Sequence, residues 1–513
     1  MALSCLGRLL GRTLSALGMA AMLASSTTSC GSNPSARRHL LVVVDGLRPD
    51  YVTPAVMPRL VALGARGVVF TRHHSVYPTV TRVNAASIST GTYPEAHGLL
   101  GNAVFFPKVA PATFLDTSER QNLLNIAKSE GRLLTAPTLG ESLLNAGRRM
   151  LVVSSGSTGS TFLVNHTVSG GAILHPRYAL PASLEEAMKA VGTPPGDETP
   201  PGARDQYAVD ALFQVGLPRV DPSVTVLWLG ELDSTAHDKG VGEPATIDML
   251  RRVDHQIGRI EEGLKAARLF DQYDIWVTSD HGFSTHTGAT DLDAILDPFG
   301  QTSGGLPAIV AGSGAIYLRD AGETALTAIV SALQRTPGIG AIFTRAARRG
   351  SLDGVIPGTL SLDAVRWQHE RAAPILFSAD WTDALNAHGM PGTVSSGGTA
   401  GHGSSGPWDI HNTLIAAGPD LKPGLVIDRP SANVDFAPTF LRLLDIDIPS
   451  SVQGRVLEEA LVGRTSRASD TVRVTEHTVT TPDATYGVTG MFSIVSAGGR
   501  EFQYFDGARV SRK

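Results

Sequence analysis

Six residues with oxygen or nitrogen donors carry the chemistry of this chain: Asp45, Asp233, His237, Asp280, His281 and His402. Most stand just past the ends of apolar runs. In a parallel α/β sheet the carboxyl ends of the strands lie along one edge, so residues far apart in sequence converge there. The set therefore reads as one divided metal site. Thr81 lies in a polar segment that can face the same edge and offers a hydroxyl. Two metal ions beside a hydroxyl nucleophile imply hydrolysis of a phosphorus or sulfur ester.

Each residue also has a plainer reading. Asp45 after an apolar run would ordinarily cap a turn. Asp233 and His237 are four apart, which puts them on one face of a helix, with Glu231 and Asp238 as nearby competitors. Asp280 and His281 are adjacent and reach one ion only where the chain bends sharply, a bend that Gly282 permits. His286 competes with His281. His402 stands between Gly401 and Gly403, which leave room for a close approach of its ring. The argument rests on the set, five members of which follow expected strands. Its donors are oxygen and nitrogen only, which suits zinc and also manganese or iron.

The elements that must position these residues follow from periodicity. His39–Val44, Met150–Ser154, Val224–Leu229 and Tyr273–Thr278 are short apolar runs and read as buried strands, with a further short strand at 68–70. Helices are expected over 57–67, from Asn84 to Thr90, over 138–147, 205–215 and 435–444, and over 246–267, where Met249, Val253, Ile257 and Ile260 recur at helical spacing. Strand alternating with helix is the mark of a layered α/β domain. Residues 287–401 are less regular, with strands expected at 308–311 and 315–318 and a helix at 323–335, and read as an insertion or cap over the site. Residues 393–406 read as a flexible polar loop leading to a strand at 413–417. Two strand-like runs, 491–496 and 501–505, suggest a C-terminal hairpin within 471–513.

The 513 residues suit one large α/β domain with insertions, or two domains. A formal charge of -5 gives no general reason to bind nucleic acid or an anionic membrane. Arg8 and Arg12 precede an apolar stretch from Leu14 to Ala24 and then small and hydroxyl residues, the layout of an export signal over residues 1–30. The segment around Cys30 is similar to a lipoprotein signal, so lipid attachment at Cys30 and conventional cleavage nearby are both compatible with it. Cys5 and Cys30 are the two cysteines, so the mature body carries neither an internal disulfide nor a thiolate metal site.

On these residues the chain resembles the type I phosphodiesterase/nucleotide pyrophosphatase family of the alkaline phosphatase superfamily. The resemblance rests on Val42-Val-Val-Asp-Gly-Leu-Arg48, Tyr77-Pro-Thr-Val-Thr-Arg-Val-Asn84, Thr90-Gly-Thr-Tyr-Pro-Glu-Ala-His-Gly98, Asp233 to His237, Ser279-Asp-His-Gly282 and Gly401-His-Gly403, in that order. It implies a mostly parallel central sheet flanked by helices, with the core at 39–286 and 402–460. It implies that Asp45, Thr81, Asp280 and His281 hold one metal, and Asp233, His237 and His402 the other, typically zinc. Thr81 would then be the nucleophile of a phosphothreonine pathway, with Asn102 helping to hold the phosphoryl oxygen and Thr79 a decoy. The expected substrate is a small phosphodiester or pyrophosphate, with nucleotides and phospholipid headgroups among the candidates. A phosphomonoesterase or phosphonate hydrolase with the same metal core is the alternative. A sulfatase is disfavoured because its nucleophile derives from Cys or Ser. Many nucleotide pyrophosphatases have Thr-Phe-Pro-Asn around the nucleophile, where this chain has Thr81-Arg82-Val83-Asn84. Two roles stand for Arg82: contact with an anionic substrate group, or pairing with a surface carboxylate.

Overall fold

Residue alternation explains the centre of the protein. Along the strand Arg38–Val44, Leu40, Val42 and Val44 join one apolar cluster, while Leu41 and Val43 join another. A strand points successive side chains to opposite faces, so a continuous apolar run means that both faces are covered. One face packs on the helices Pro58–Ala65, Ala203–Ala211 and Pro244–Ala266. The other packs on Thr81–Thr90, Arg120–Glu130, Leu139–Asn145, Thr158–Val164 and Phe436–Leu443. This computed structural model describes residues 37–464 and 471–513, apart from 197, 301, 304, 305, 320 and 321, and 302 and 303 by backbone alone. The expected export signal and Cys30 lie outside the described residues. Among the described residues no helix is long and apolar enough to cross a membrane.

The main sheet has ten strands. Their order is Leu425–Ile427, Val68–His74, His411–Ala417, Tyr273–Thr278, Arg38–Val44, Val224–Leu229, Met150–Ser154, Ala172–His175 and Tyr178–Leu180, and Ser431–Ala432 also pairs with Val68–His74. The five strands from Tyr273–Thr278 to Ala172–His175 are parallel. His411–Ala417 runs antiparallel to both of its neighbours. The fold is thus an α/β layered structure with a mostly parallel sheet, as the sequence indicates.

Residues 287–401 build a five-stranded sheet from Ile309–Gly312, Ala315–Leu318, Ile375–Ala379, Ile339–Thr344 and Leu360–Ser361, with the helix Glu323–Arg335 supplying Ile329, Val330 and Leu333 to its core. The polar stretch 393–406 is more ordered than its composition suggests. Pro391–Val394 and Ala400–Gly401 both pair with Ser284–His286. Backbone hydrogen bonds hold this ladder, so side-chain periodicity gives no sign of it. The C-terminal segment is a three-stranded antiparallel sheet of Thr471–Thr480, Tyr486–Ala497 and Arg500–Arg512, rather than a two-stranded hairpin. Its last strand reaches back into the body, where the Tyr504 hydroxyl donates to Asp435 at 3.0 Å and the Trp381 indole donates to the Ala508 carbonyl at 2.6 Å.

Candidate active site

Three central parallel strands deliver three carboxylates to one edge. The strand Arg38–Val44 runs straight into Asp45, Tyr273–Thr278 leads to Asp280, and Val224–Leu229 leads into the helix Glu231–Lys239 that carries Asp233 and His237. Because these strands are adjacent and parallel, residues distant in sequence meet. His402 comes from a different direction, just after the short strand Ala400–Gly401. The His286 ring packs closely on Gly401, where a Cβ would fall 2.5 Å from that ring and 3.3 Å from that of His237.

Thr81 opens the helix Thr81–Thr90, three residues earlier than the sequence suggests. The residue before it, Val80, has no capping side chain. Asn102 performs that task from outside, its Oδ1 accepting the Arg82 N–H at 3.0 Å. This bond turns the Asn102 amide protons away from the helix. Helix N-termini carry partial positive charge, so the Thr81 hydroxyl sits where an oxyanion is favoured. Its Oγ1 is 3.2 Å from His281 Nε2. The Thr79 hydroxyl is already engaged, donating to the Ser404 carbonyl and accepting the Gly403 N–H.

The donor atoms form two adjoining groups. His281 Nε2 lies 3.5 Å from Asp45 Oδ1 and 3.2 Å from Asp280 Oδ2. Asp233 Oδ1 lies 3.4 Å from His237 Nε2 and 3.5 Å from His402 Nε2. The rings of His281 and His402 stack with centroids 3.4 Å apart and so join the groups. Asp45 Oδ1, Asp233 Oδ1 and Asp280 Oδ2 are buried and have no hydrogen-bond donor. Two ligands about 2.1 Å from a tetrahedral zinc ion stand roughly 3.4 Å apart, and these donors have that spacing. A third histidine–aspartate cluster, His74, His411 and Asp506, does not. There His74 Nε2 approaches Asp506 Oδ1 to 2.6 Å, an ordinary hydrogen bond that leaves no room for an ion.

The second nitrogen of each histidine is fixed by a carbonyl, which leaves Nε2 free to ligate. His237 Nδ1 meets the Ala400 carbonyl at 2.9 Å, His281 Nδ1 that of Gly282 at 2.9 Å, and His402 Nδ1 that of Thr79 at 2.8 Å. Burial, together with the charges of Asp280 and Asp233, pushes the Asp45 carboxyl well above the usual range; the Trp228 indole, donating to its Oδ2 at 2.9 Å, opposes that rise. Burial also raises Asp280. It acts upward on Asp233 too, but the approach of His237 and the charges of His402 and His281 bring that group down to about 2. Three carboxylates forced together out of water call for cationic compensation, and the residues fit a pair of divalent ions.

The competing residues are engaged in other bonds, although His286 stays beside the site. Glu231 accepts the backbone N–H groups of Gly202 and Asp205, Asp238 pairs with Lys239, and His286 contacts the Gly397 carbonyl. Sequence reasoning missed the supports. Trp228 lies within an apolar strand and looks like core. Asn433 donates to the Asp280 carbonyl and to Asn84 Oδ1, both at 2.9 Å, and nothing in its local sequence marks it. Asp409 accepts from the Ser404 N–H and hydroxyl and so pins the loop after His402. Beside the donors opens a cavity of about 310 Å³ lined by Tyr77, Val80, Asn102, His286, Phe377 and His402.

A family model described as Type I phosphodiesterase / nucleotide pyrophosphatase matches residues 39–401. The chain belongs to this family. Ectonucleotide pyrophosphatase/phosphodiesterase family member 1 of Homo sapiens is 28% identical over 246 residues, which cover 47% of this chain and 23% of that protein. The Rattus norvegicus protein of the same description is 25% identical over 398 residues, covering 76% and 39%. Bis(5'-adenosyl)-triphosphatase enpp4 of Mus musculus is 26% identical over 270 residues, covering 52% of each chain. The chain thus spans well under half of the first two relatives. Among solved structures, murine ectonucleotide pyrophosphatase/phosphodiesterase 5 superposes with a TM-score of 0.59 at 19% identity, covering 83% of this chain and all of that one, a likeness of fold.

Proposed function

We propose that this chain hydrolyses phosphodiester or pyrophosphate bonds by a two-metal route, with Thr81 as nucleophile. The observation that carries this reading is the pair of adjoining donor groups at metal-ligand spacing, with a hydroxyl at a helix N-terminus beside them. Asp45, Thr81, Asp280 and His281 would hold one ion, and Asp233, His237 and His402 the other. When bound, such ions supply Lewis-acid charge that lowers the pKa of a hydroxyl and neutralises a phosphoryl oxygen. Zinc suits the donors best, and manganese and iron are compatible with them.

The side chains take the remaining roles. Thr81 Oγ gives up its proton to solvent and attacks phosphorus, the P–O bond to the leaving group breaks, and the alcohol or phosphate departs with its electron pair and takes up a proton from solvent. The product is a phosphothreonine, which water cleaves to return the hydroxyl. Asn102, held through its Oδ1, presents its amide protons to the charge developing on the phosphoryl oxygen. The adjacent cavity receives a small substituent of the ester. The description of the murine relative as a bis(5'-adenosyl)-triphosphatase supports a pyrophosphate bond among the substrates. Export completes the proposal, with lipid attachment at Cys30 and conventional cleavage nearby as the two outcomes that mass spectrometry of the mature N-terminus separates.

The deciding experiment is hydrolysis of bis-p-nitrophenyl phosphate by purified protein as isolated, after chelation, and after zinc is restored. Turnover that disappears and returns supports the reading. Turnover indifferent to chelation, with metal content shown to be nil, refutes it.

A further inference from the structure

Arg82 follows the nucleophile directly, and its surroundings leave its charge poorly served. Every other residue of the helix Thr81–Thr90 is buried. The Arg82 side chain retains 16% exposure. A guanidinium drawn out of water is costly unless its donors are satisfied. Here Nε is buried with no acceptor. The nearest carboxylate, Asp116 Oδ1, is 3.8 Å from an Arg82 terminal nitrogen, beyond hydrogen-bond range. Asp116 is itself 61% exposed, and both of its oxygens already accept from Ser118, at 2.8 and 2.6 Å. Of the two roles open to Arg82 in the sequence, firm pairing with a surface carboxylate is therefore not what the fold provides.

Arg82 adjoins Thr81 in sequence, and its charge lies within electrostatic reach of the candidate active site. After Asp116, the carboxylates acting on the guanidinium are Asp45, Asp233 and Asp280, and Arg82 in turn acts on His237. Its main chain is fixed by Asn102 Oδ1, so the side chain starts from a rigid position one residue from Thr81. A planar fork of donors in such a place fits an anion with several oxygens.

We propose that Arg82 is a specificity-determining residue that binds a second anionic phosphoryl oxygen of the substrate, one that a simple diester lacks. That oxygen belongs either to the transferred group, as in a phosphomonoester, or to the phosphate next to it, as in a pyrophosphate. Asp116 acts as a loose counter-ion that holds the fork ready and yields to the substrate. The inference rests on the hydrolytic reading of the site given above.

The test compares metal-loaded wild type, Arg82→Gln, Arg82→Lys and Asp116→Asn on three substrates. p-Nitrophenyl phosphate carries the second charge on the transferred group, a nucleoside triphosphate carries it on the neighbouring phosphate, and bis-p-nitrophenyl phosphate carries none. Arg82→Gln is expected to lower kcat/KM on one of the first two at least tenfold more than on the diester. Arg82→Lys, which keeps charge but loses the fork, recovers part of that loss. Which substrate suffers tells where the oxygen sits. Equal losses on all three overturn the proposal and leave Arg82 a supporting residue. Binding of inorganic pyrophosphate, which carries both kinds of oxygen, gives a second readout by calorimetry: weakening of at least tenfold in Arg82→Gln is expected, and unchanged binding overturns the proposal. If the wild type turns over none of the substrates, the hydrolytic reading fails on its own, and pyrophosphate binding still decides the role of Arg82.

Discussion

Replacing Trp228 by Phe isolates the support of one metal ligand. The indole N–H donates to Asp45 Oδ2 at 2.9 Å, and the opposite oxygen, Oδ1, faces the donor group of His281. Phenylalanine keeps most of the apolar contact and removes the donor. A hydrogen bond to a charged group contributes about 1.5–3 kcal/mol. At about 1.4 kcal/mol per factor of ten, its loss weakens ion binding by roughly 10- to 100-fold, the usual effect of removing a group that braces a ligand. Trp228 is also fully buried, so the shorter ring lowers fold stability by about 0.5–3 kcal/mol. The two effects are separable. Zinc affinity is read by competition with a chromophoric chelator under native conditions, and stability by denaturant unfolding of the metal-free protein. A variant that loses stability yet binds both ions within twofold of wild type would falsify the bracing role and reduce Trp228 to packing.

Other outcomes follow from the same geometry. Thr81→Ala should abolish turnover by at least a thousandfold, on the order of the loss of an activated nucleophile, while metal content measured by atomic emission stays nearly at two ions; surviving activity points to another nucleophile. His402→Ala should lower metal occupancy, because it removes one of two nitrogens beside Asp233; full occupancy places His402 outside the ligand set. Asp205 is held near pKa 7 by burial, then by the charge of Glu231, against an ordinary value of 3.8. Its folded form thus binds the proton more tightly than the unfolded chain, so its stabilising contribution is complete below about pH 3.8 and is lost as pH rises to about 7. Asp205→Asn should therefore unfold later than wild type at pH 8, by an amount on the order of 4 kcal/mol at most, with the gap closing toward pH 4. A gap that stays constant across that range rejects the assignment.

The parts of the molecule legible in the sequence are those governed by side-chain period. Met150–Ser154, Val224–Leu229, Tyr273–Thr278 and Glu323–Arg335 have the bounds that their apolar patterns suggest. Since Asp233, His237, Asp280 and His281 follow two of these runs, and Asp45 follows another, their convergence could be read as well. The start of the helix at Thr81 could not, because its cap comes from Asn102, twenty residues on. The ladder that seats His402 was hidden for a related reason, as its partners are backbone groups in Ser284–His286. Trp228 and Asn433 show the same limit: an indole in an apolar strand and an asparagine before a helix look ordinary until the fold sets Asp45 and Asp280 beside them.

The scattering of the donors along the chain has a consequence for the order of folding. Positions 45, 81, 233, 280 and 402 can embrace an ion only after the central strands have paired and the Ala400–Gly401 ladder has closed on Ser284–His286. Contacts between such distant segments are the slow ones, since their loops must be closed before any attraction is gained. Ion uptake should therefore trail the recovery of helical signal during refolding, so that a bound ion acts as a timestamp on completed topology. Once in place, it would tie remote stretches of the chain together and slow their separation, giving the loaded protein a longer life against proteases than its equilibrium stability alone suggests.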